Sequence, residues 1–141
     1  MENNDKKDKE PIITKIIDMD DLSHTFSKED IEEYSKYAII CYIGFLFMIP
    51  IFNKIYKKSK YVLFHVNQGF NLFAIEVFVF IVLGLLNTVF VKSIRYTPAW
   101  LSILNFLLYS IVVILMLLGI VNSINGKSKE LPLIGKYRYI K

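Results

Sequence analysis

Hydrophobic positions along this chain fall into three long runs separated by short polar stretches. The central run, residues 61–91 (YVLFHVNQGFNLFAIEVFVFIVLGLLNTVFV), lies between Lys60 and Lys92 and holds no basic residue other than His65. At about 1.5 Å per residue it is long enough as a helix to cross a hydrocarbon core of about 30 Å. A second run, 99–124, is apolar apart from Ser102, Asn105, Ser110, Asn122 and Ser123. Pro98 suits a first helical turn, and Asn125-Gly126 reads as a C-cap. A third run, 37–52, is about sixteen residues long, slightly under the usual span. Ser27, with Asp30 three residues on, starts a helix that supplies the missing length, and Pro50 can stop or kink it. A full span is favoured here over a re-entrant hairpin. The pattern therefore predicts an all-α membrane protein with three transmembrane helices, at about 35–52, 62–91 and 98–124. The last two form an antiparallel hairpin.

The segments outside these runs hold nearly all the charge. Residues 1–36 contain eleven acids and six lysines (net −5), and the remainder has eleven basic residues against Glu76 and Glu130 (net +9). Residues 1–26 are acidic and expected to be disordered, and they carry no secretory signal. The 27–126 stretch forms the transmembrane domain, and 127–141 is a basic tail expected to lie along the headgroup plane. Lys54, Lys57, Lys58 and Lys60 before the second span, with Lys127, Lys129, Lys136, Arg138 and Lys141 in the tail, are candidate contacts for anionic headgroups. Positives that flank hydrophobic spans point to lipid and away from nucleic acid. Placing these nine basic residues inside leaves Lys92 and Arg95 outside, which favours an N-out, C-in orientation.

Within the second span, a turn of 100° per residue puts His65, Gln68 and Glu76 on one face and Asn67 and Asn71 on another. Such a polar face is either a hydrated path or polar glue between helices. Glu76, the one acid inside the runs, calls for a donor. An antiparallel register sets it near Tyr109 and Ser110, and sets His65 near Asn122 and Ser123. His65 itself lies about 16 Å from Glu76 along the axis, too far for a direct acid–base pair. With the single Cys41, no second membrane histidine and no phosphate-cradling loop, no metal site, cofactor or enzymatic activity is expected.

Three stretches together carry a resemblance: Asp30-Ile31-Glu32-Glu33 leading into 38–44, Phe64-His65-Val66-Asn67-Gln68-Gly69, and 119–136 with its Asn-Gly-Lys-x-Lys-Glu-Leu-Pro core. Over about residues 28–141 the chain resembles a bacterial family of small multi-pass membrane proteins of unknown function. That family is related to the magnetosome proteins MamF and MmsF and, distantly, to the small membrane subunit of the chloroplast inner-envelope protein translocon. The resemblance implies a bacterial cell-membrane protein without enzymatic activity, and it brings no catalytic residues. Some relatives carry an N-terminal zinc ribbon, which this chain lacks. The expected role is an accessory or scaffold subunit of a membrane assembly, with a second copy or another membrane protein as partner. The alternative is a small pore or transport subunit whose path is lined by His65, Gln68 and Glu76.

Overall fold

The computed structural model describes residues 21–141. Among the described residues four α-helices succeed one another: α1 (Lys28–Ile40), α2 (Met48–Phe52), α3 (Lys60–Ile94) and α4 (Ala99–Ile124), with 3-10 turns at Ser23–Thr25, Gly44–Phe47 and Ile55–Lys57. Among the described residues the one β-type contact is an isolated bridge between Asp21 and Lys129.

Two of the helices are long and apolar enough to cross a membrane, α3 with a best-window mean hydropathy of 2.4 and α4 with 2.7. Only 6% and 11% of those windows are buried, so these are not core helices of a soluble fold. They form the expected antiparallel hairpin. Ser59 caps α3 by accepting from the Val62 N–H (3.0 Å). At the far end Asn87 and Asn105 exchange amide hydrogen bonds of 3.3 Å across the two helices. Phe90 meets Trp100 edge-on beside the turn. α4 stops where Gly126, at φ +64°, lets Lys127 N–H reach back to Asn122 O (2.8 Å).

The expected first span, 35–52, is not one helix. Ser27 caps α1 through Asp30 N–H (3.2 Å) as the sequence indicates, but the helix ends at Ile40. Gly44 takes φ +51°, a conformation open to glycine, and Pro50 could not continue a helix through 46–50 without losing a bond. Contacts along α3 trace the path of the chain on either side of Ile40. Asp30 accepts from Tyr61 N–H at the start of α3 (3.2 Å), and Cys41 lies against Gly69. Phe47 packs on Phe70 and Phe73. The chain then reverses at Lys54 (φ +55°), and Ile55 joins Val62 and Val66 in one apolar cluster. The chain thus passes Tyr61 at Asp30, descends past Gly69 to Phe73 and returns to the start of α3. Residues 41–59 form a wedge that turns back toward the end of the hairpin from which the chain came.

Two further expectations change with it. Residues 21–26, inside the segment expected to be disordered, are held: Leu22 N–H donates to Ser128 O (3.0 Å), and Phe26 packs on the rings of Tyr61 and Phe64. The other residues of that segment, 1–20, lie outside the described ones. Since residues 21–22 bond to residues 128–129, the N-terminal segment and the tail share one end of the hairpin, whereas the N-out, C-in expectation sets them at opposite ends.

The molecule therefore has a wrapped head and a bare hairpin. Ten of the eleven buried residues of α3 lie between Tyr61 and Leu72, and beyond them only Leu83 is buried. Below the head, Phe78, Phe80, Leu85, Ile103 and Phe106 are all more than half exposed.

Candidate functional site: an amide clamp and a buried histidine

The polar residues of the HVNQG stretch fall in the first turns of α3, and each is directed at a different neighbour. Asn67, Gln68 and Asn71 occupy an arc of about 100° on the helix, and over that arc the C-terminal tail runs. Gln68 Nε2 donates to Gly135 O (3.0 Å), and its Oε1 accepts from Leu131 N–H (3.1 Å). Asn71 Nδ2 donates to Ile134 O (2.9 Å) and Tyr137 O (2.8 Å). Asn67 Nδ2 donates to Ile140 O (3.0 Å), while its Oδ1 accepts from the N–H groups of Tyr139 and Ile140, both at 2.8 Å. All seven contacts are to tail backbone. Side-chain amides suit this task because each offers a donor and an acceptor, as a neighbouring strand would.

The tail is consequently fastened along the first turns of α3. Its apolar positions explain why: Leu131 and Ile134 are buried with Tyr42, Leu72 and Leu115, and each such burial contributes about 1.5–3 kcal/mol. Its charged residues divide. Arg138 pairs with Glu130 (2.7 Å) and stacks over Phe64 at 5.0 Å. Lys127, Lys136 and Lys141 are exposed, Lys129 is half-buried at the Asp21 bridge, and Tyr137 and Tyr139 stack outward. Lys54, Lys57, Lys58 and Lys60 are exposed at the same end of the hairpin.

His65 points away from the clamp. It is fully buried, with Nδ1 2.8 Å from Tyr42 Oη and 3.2 Å from Ser123 Oγ. Ser123 Oγ donates to Gly119 O (2.9 Å), so toward Nδ1 it can only accept, and the Tyr42 hydroxyl is the shorter partner of Nδ1, its donor or acceptor role set by the imidazole tautomer. Nε2 has no hydrogen-bond partner and lies among the rings of Tyr61 and Phe64, whose centroids are 4.5 and 5.0 Å from that of the imidazole. Tyr42 reaches this position across Gly119, where a Cβ would come within 2.2 Å of the tyrosine ring. His65 thereby ties the end of α1 to α3 and α4.

The proposed common face of His65, Gln68 and Glu76 does not act as a unit. Glu76 lies one turn below the head, half-buried, and makes no hydrogen bond among the described residues. Of its expected partners, Ser110 donates instead to Phe106 O (2.7 Å). Tyr109 shares a groove with Glu76 but does not bond to it. Asn122 does not reach His65; its Nδ2 is buried and unpartnered. The remaining charged feature, Asp21, is held below the usual carboxylate range by hydrogen bonds from the Ser23 hydroxyl and N–H. Among the described residues no three His, Cys, Asp or Glu side chains converge on a metal position.

Sequence reasoning finds these amides but not their target. The signal is present in the co-occurrence of His-x-Asn-Gln-Gly with a tail whose apolar 131–135 stretch lies between charged residues. The 64–69 stretch supplies Asn67 and Gln68 to the clamp and the 119–136 stretch supplies Leu131, Ile134 and Gly135, while Asn71 and residues 137–140 lie outside both. No family model, no curated protein and no solved structure matches this chain.

Proposed function

We propose that this is a non-enzymatic small integral membrane protein of a bacterial cell membrane, serving as an accessory or scaffold subunit of a membrane assembly. The family resemblance supports the class. The observation that carries the role is how the polar side chains of α3 are used. Asn67, Gln68 and Asn71 bind the chain's own tail and His65 binds Tyr42, so what faces outward along the hairpin is apolar apart from Glu76 and a few hydroxyls. A hydrated path lined by His65, Gln68 and Glu76, the alternative role, would need those groups open to water.

In this reading α3 and α4 cross the bilayer and the wedge between α1 and α3 dips in and returns. Residues 73–94 of α3 measure about 33 Å, close to the hydrocarbon thickness. The head end carries Lys54, Lys57, Lys58, Lys60, Lys127, Lys129, Lys136, Arg138 and Lys141, the tip only Lys92 and Arg95. By that bias the head is cytoplasmic, and its exposed lysines with Tyr137 and Tyr139 meet anionic headgroups. The bare hairpin face is open to a second copy or another membrane protein.

Two measurements on the full chain test this. Photo-crosslinkers at the exposed Phe106 and Ile114 should give discrete protein adducts in cells, and liposomes containing the purified protein should show no solute flux. Flux that disappears in Glu76→Leu would establish the pore instead.

A further inference from the structure

On the bare hairpin just below the head is a groove of about 350 Å³ lined by Glu76, Val77, Val79, Phe80, Tyr109 and Val112. We propose that it holds an acyl chain of a lipid whose headgroup ends in a primary amine, with the ammonium paired to the Glu76 carboxylate. This rests on the reading of the hairpin as membrane-spanning.

Depth is the first argument. Glu76 is four residues beyond Leu72, the last buried residue of α3 in the head, so about 6 Å below it. From Glu76 to Ile94 at the tip is about 27 Å, nearly a full hydrocarbon core. With the tip at the far headgroups, Glu76 comes to the near hydrocarbon boundary, and its Cα–Cβ bond tilts toward the helix N-terminus, hence toward the head. Phe80 lies one turn deeper. The groove is therefore acidic at its interfacial end and apolar below, the polarity of a lipid.

Volume and charge complete the case. A dry cavity of about 150 Å³ accepts benzene, so this groove has room for a stretch of acyl chain. A carboxylate at the edge of hydrocarbon needs a donor, and the described residues provide none: Ser110 is occupied by Phe106 O, and Tyr109, though it lines the groove, makes no bond to Glu76. A second copy in the same orientation brings no cation to this depth, since α3 beyond Lys60 and the whole of α4 contain only Lys92, at the tip. A primary ammonium offers three donors and a charge-assisted bond, whereas a quaternary ammonium offers none.

The test is native mass spectrometry of the full-length protein in detergent, with phosphatidylethanolamine and phosphatidylcholine of identical acyl chains in competition. Wild type should retain the ethanolamine lipid about tenfold better, the scale of one charge-assisted hydrogen bond. Glu76→Gln should bind both lipids equally, and Val112→Trp, which fills the groove, should lose both. Equal retention in wild type, or a preference that survives Glu76→Gln, overturns the proposal. So does annular lipid only, seen as binding unaffected by Val112→Trp. A protein that stays soluble without detergent and retains no lipid would instead remove the membrane-spanning reading itself.

Discussion

Gly69 of α3 lies so close to Cys41 that a Cβ on it would come within 1.9 Å of the Cys41 carbonyl oxygen. The end of α1 rests directly on the α3 backbone, and the descent of the wedge begins from that contact. No side chain fits there without moving one helix.

Gly69→Ala should therefore lower the unfolding free energy in detergent by about 1–3 kcal/mol, the usual cost of overpacking. Gly84→Ala is the control. A Cβ there meets nothing within 4 Å, so removing a helix glycine should be neutral or stabilising by up to about 1 kcal/mol. Equal effects at the two positions would show that the contact of α1 with α3 does not matter.

The clamp gives a second expectation. Gln68→Ala leaves Leu131 N–H and Gly135 O buried without partners, at a cost of about 1–3 kcal/mol. The tail should then become accessible, and trypsin should cut after Lys136 and Arg138 in the variant well before it does in wild type. Cleavage at unchanged rates would mean the amide does not hold the tail.

A third concerns the histidine. Tyr42→Phe removes the hydroxyl that is hydrogen-bonded to His65 Nδ1 and should cost about 1–3 kcal/mol in the wild-type background. With His65 already replaced by Leu, the same change should cost much less, giving a coupling of at least about 0.5 kcal/mol. Additive effects would contradict the bond.

The hairpin is legible in the sequence because its cues are local. Two long apolar runs, Ser59 and Pro98 before them, Asn125-Gly126 after, and a short turn between leave little choice of structure. The wedge is not, because composition over 37–52 is the same for a helix that crosses and a segment that turns back. What decides is the fit of Cys41 on Gly69 and of Phe47 on Phe70 and Phe73, contacts between residues distant in the chain. Gly44 and Pro50 are the local trace of it. The tail escapes sequence reasoning for a related reason. Interleaved Lys, Arg, Leu and Ile describe both an interfacial peptide and a strand-like strap, and only the amides of Asn67, Gln68 and Asn71 tell the two apart. The position of Glu76 in the 61–91 run suggests the middle of a span, but the head encloses the run as far as Leu72 and leaves Glu76 one turn below it.

The central claim is that the wedge turns back, so that the N-terminal segment, the 53–60 loop and the tail share one side. On a Cys41→Ser background, which keeps a donor for Tyr37 O, single cysteines at His24, Lys57, Lys136 and Ser93 can be tested with a membrane-impermeant thiol reagent in intact and permeabilised cells. The proposed topology predicts that positions 24, 57 and 136 are protected in intact cells and become reactive together on permeabilisation, while position 93 reacts from the start. Labelling of position 24 in intact cells with 57 and 136 protected would mean that the first apolar run crosses the membrane, and would contradict the account.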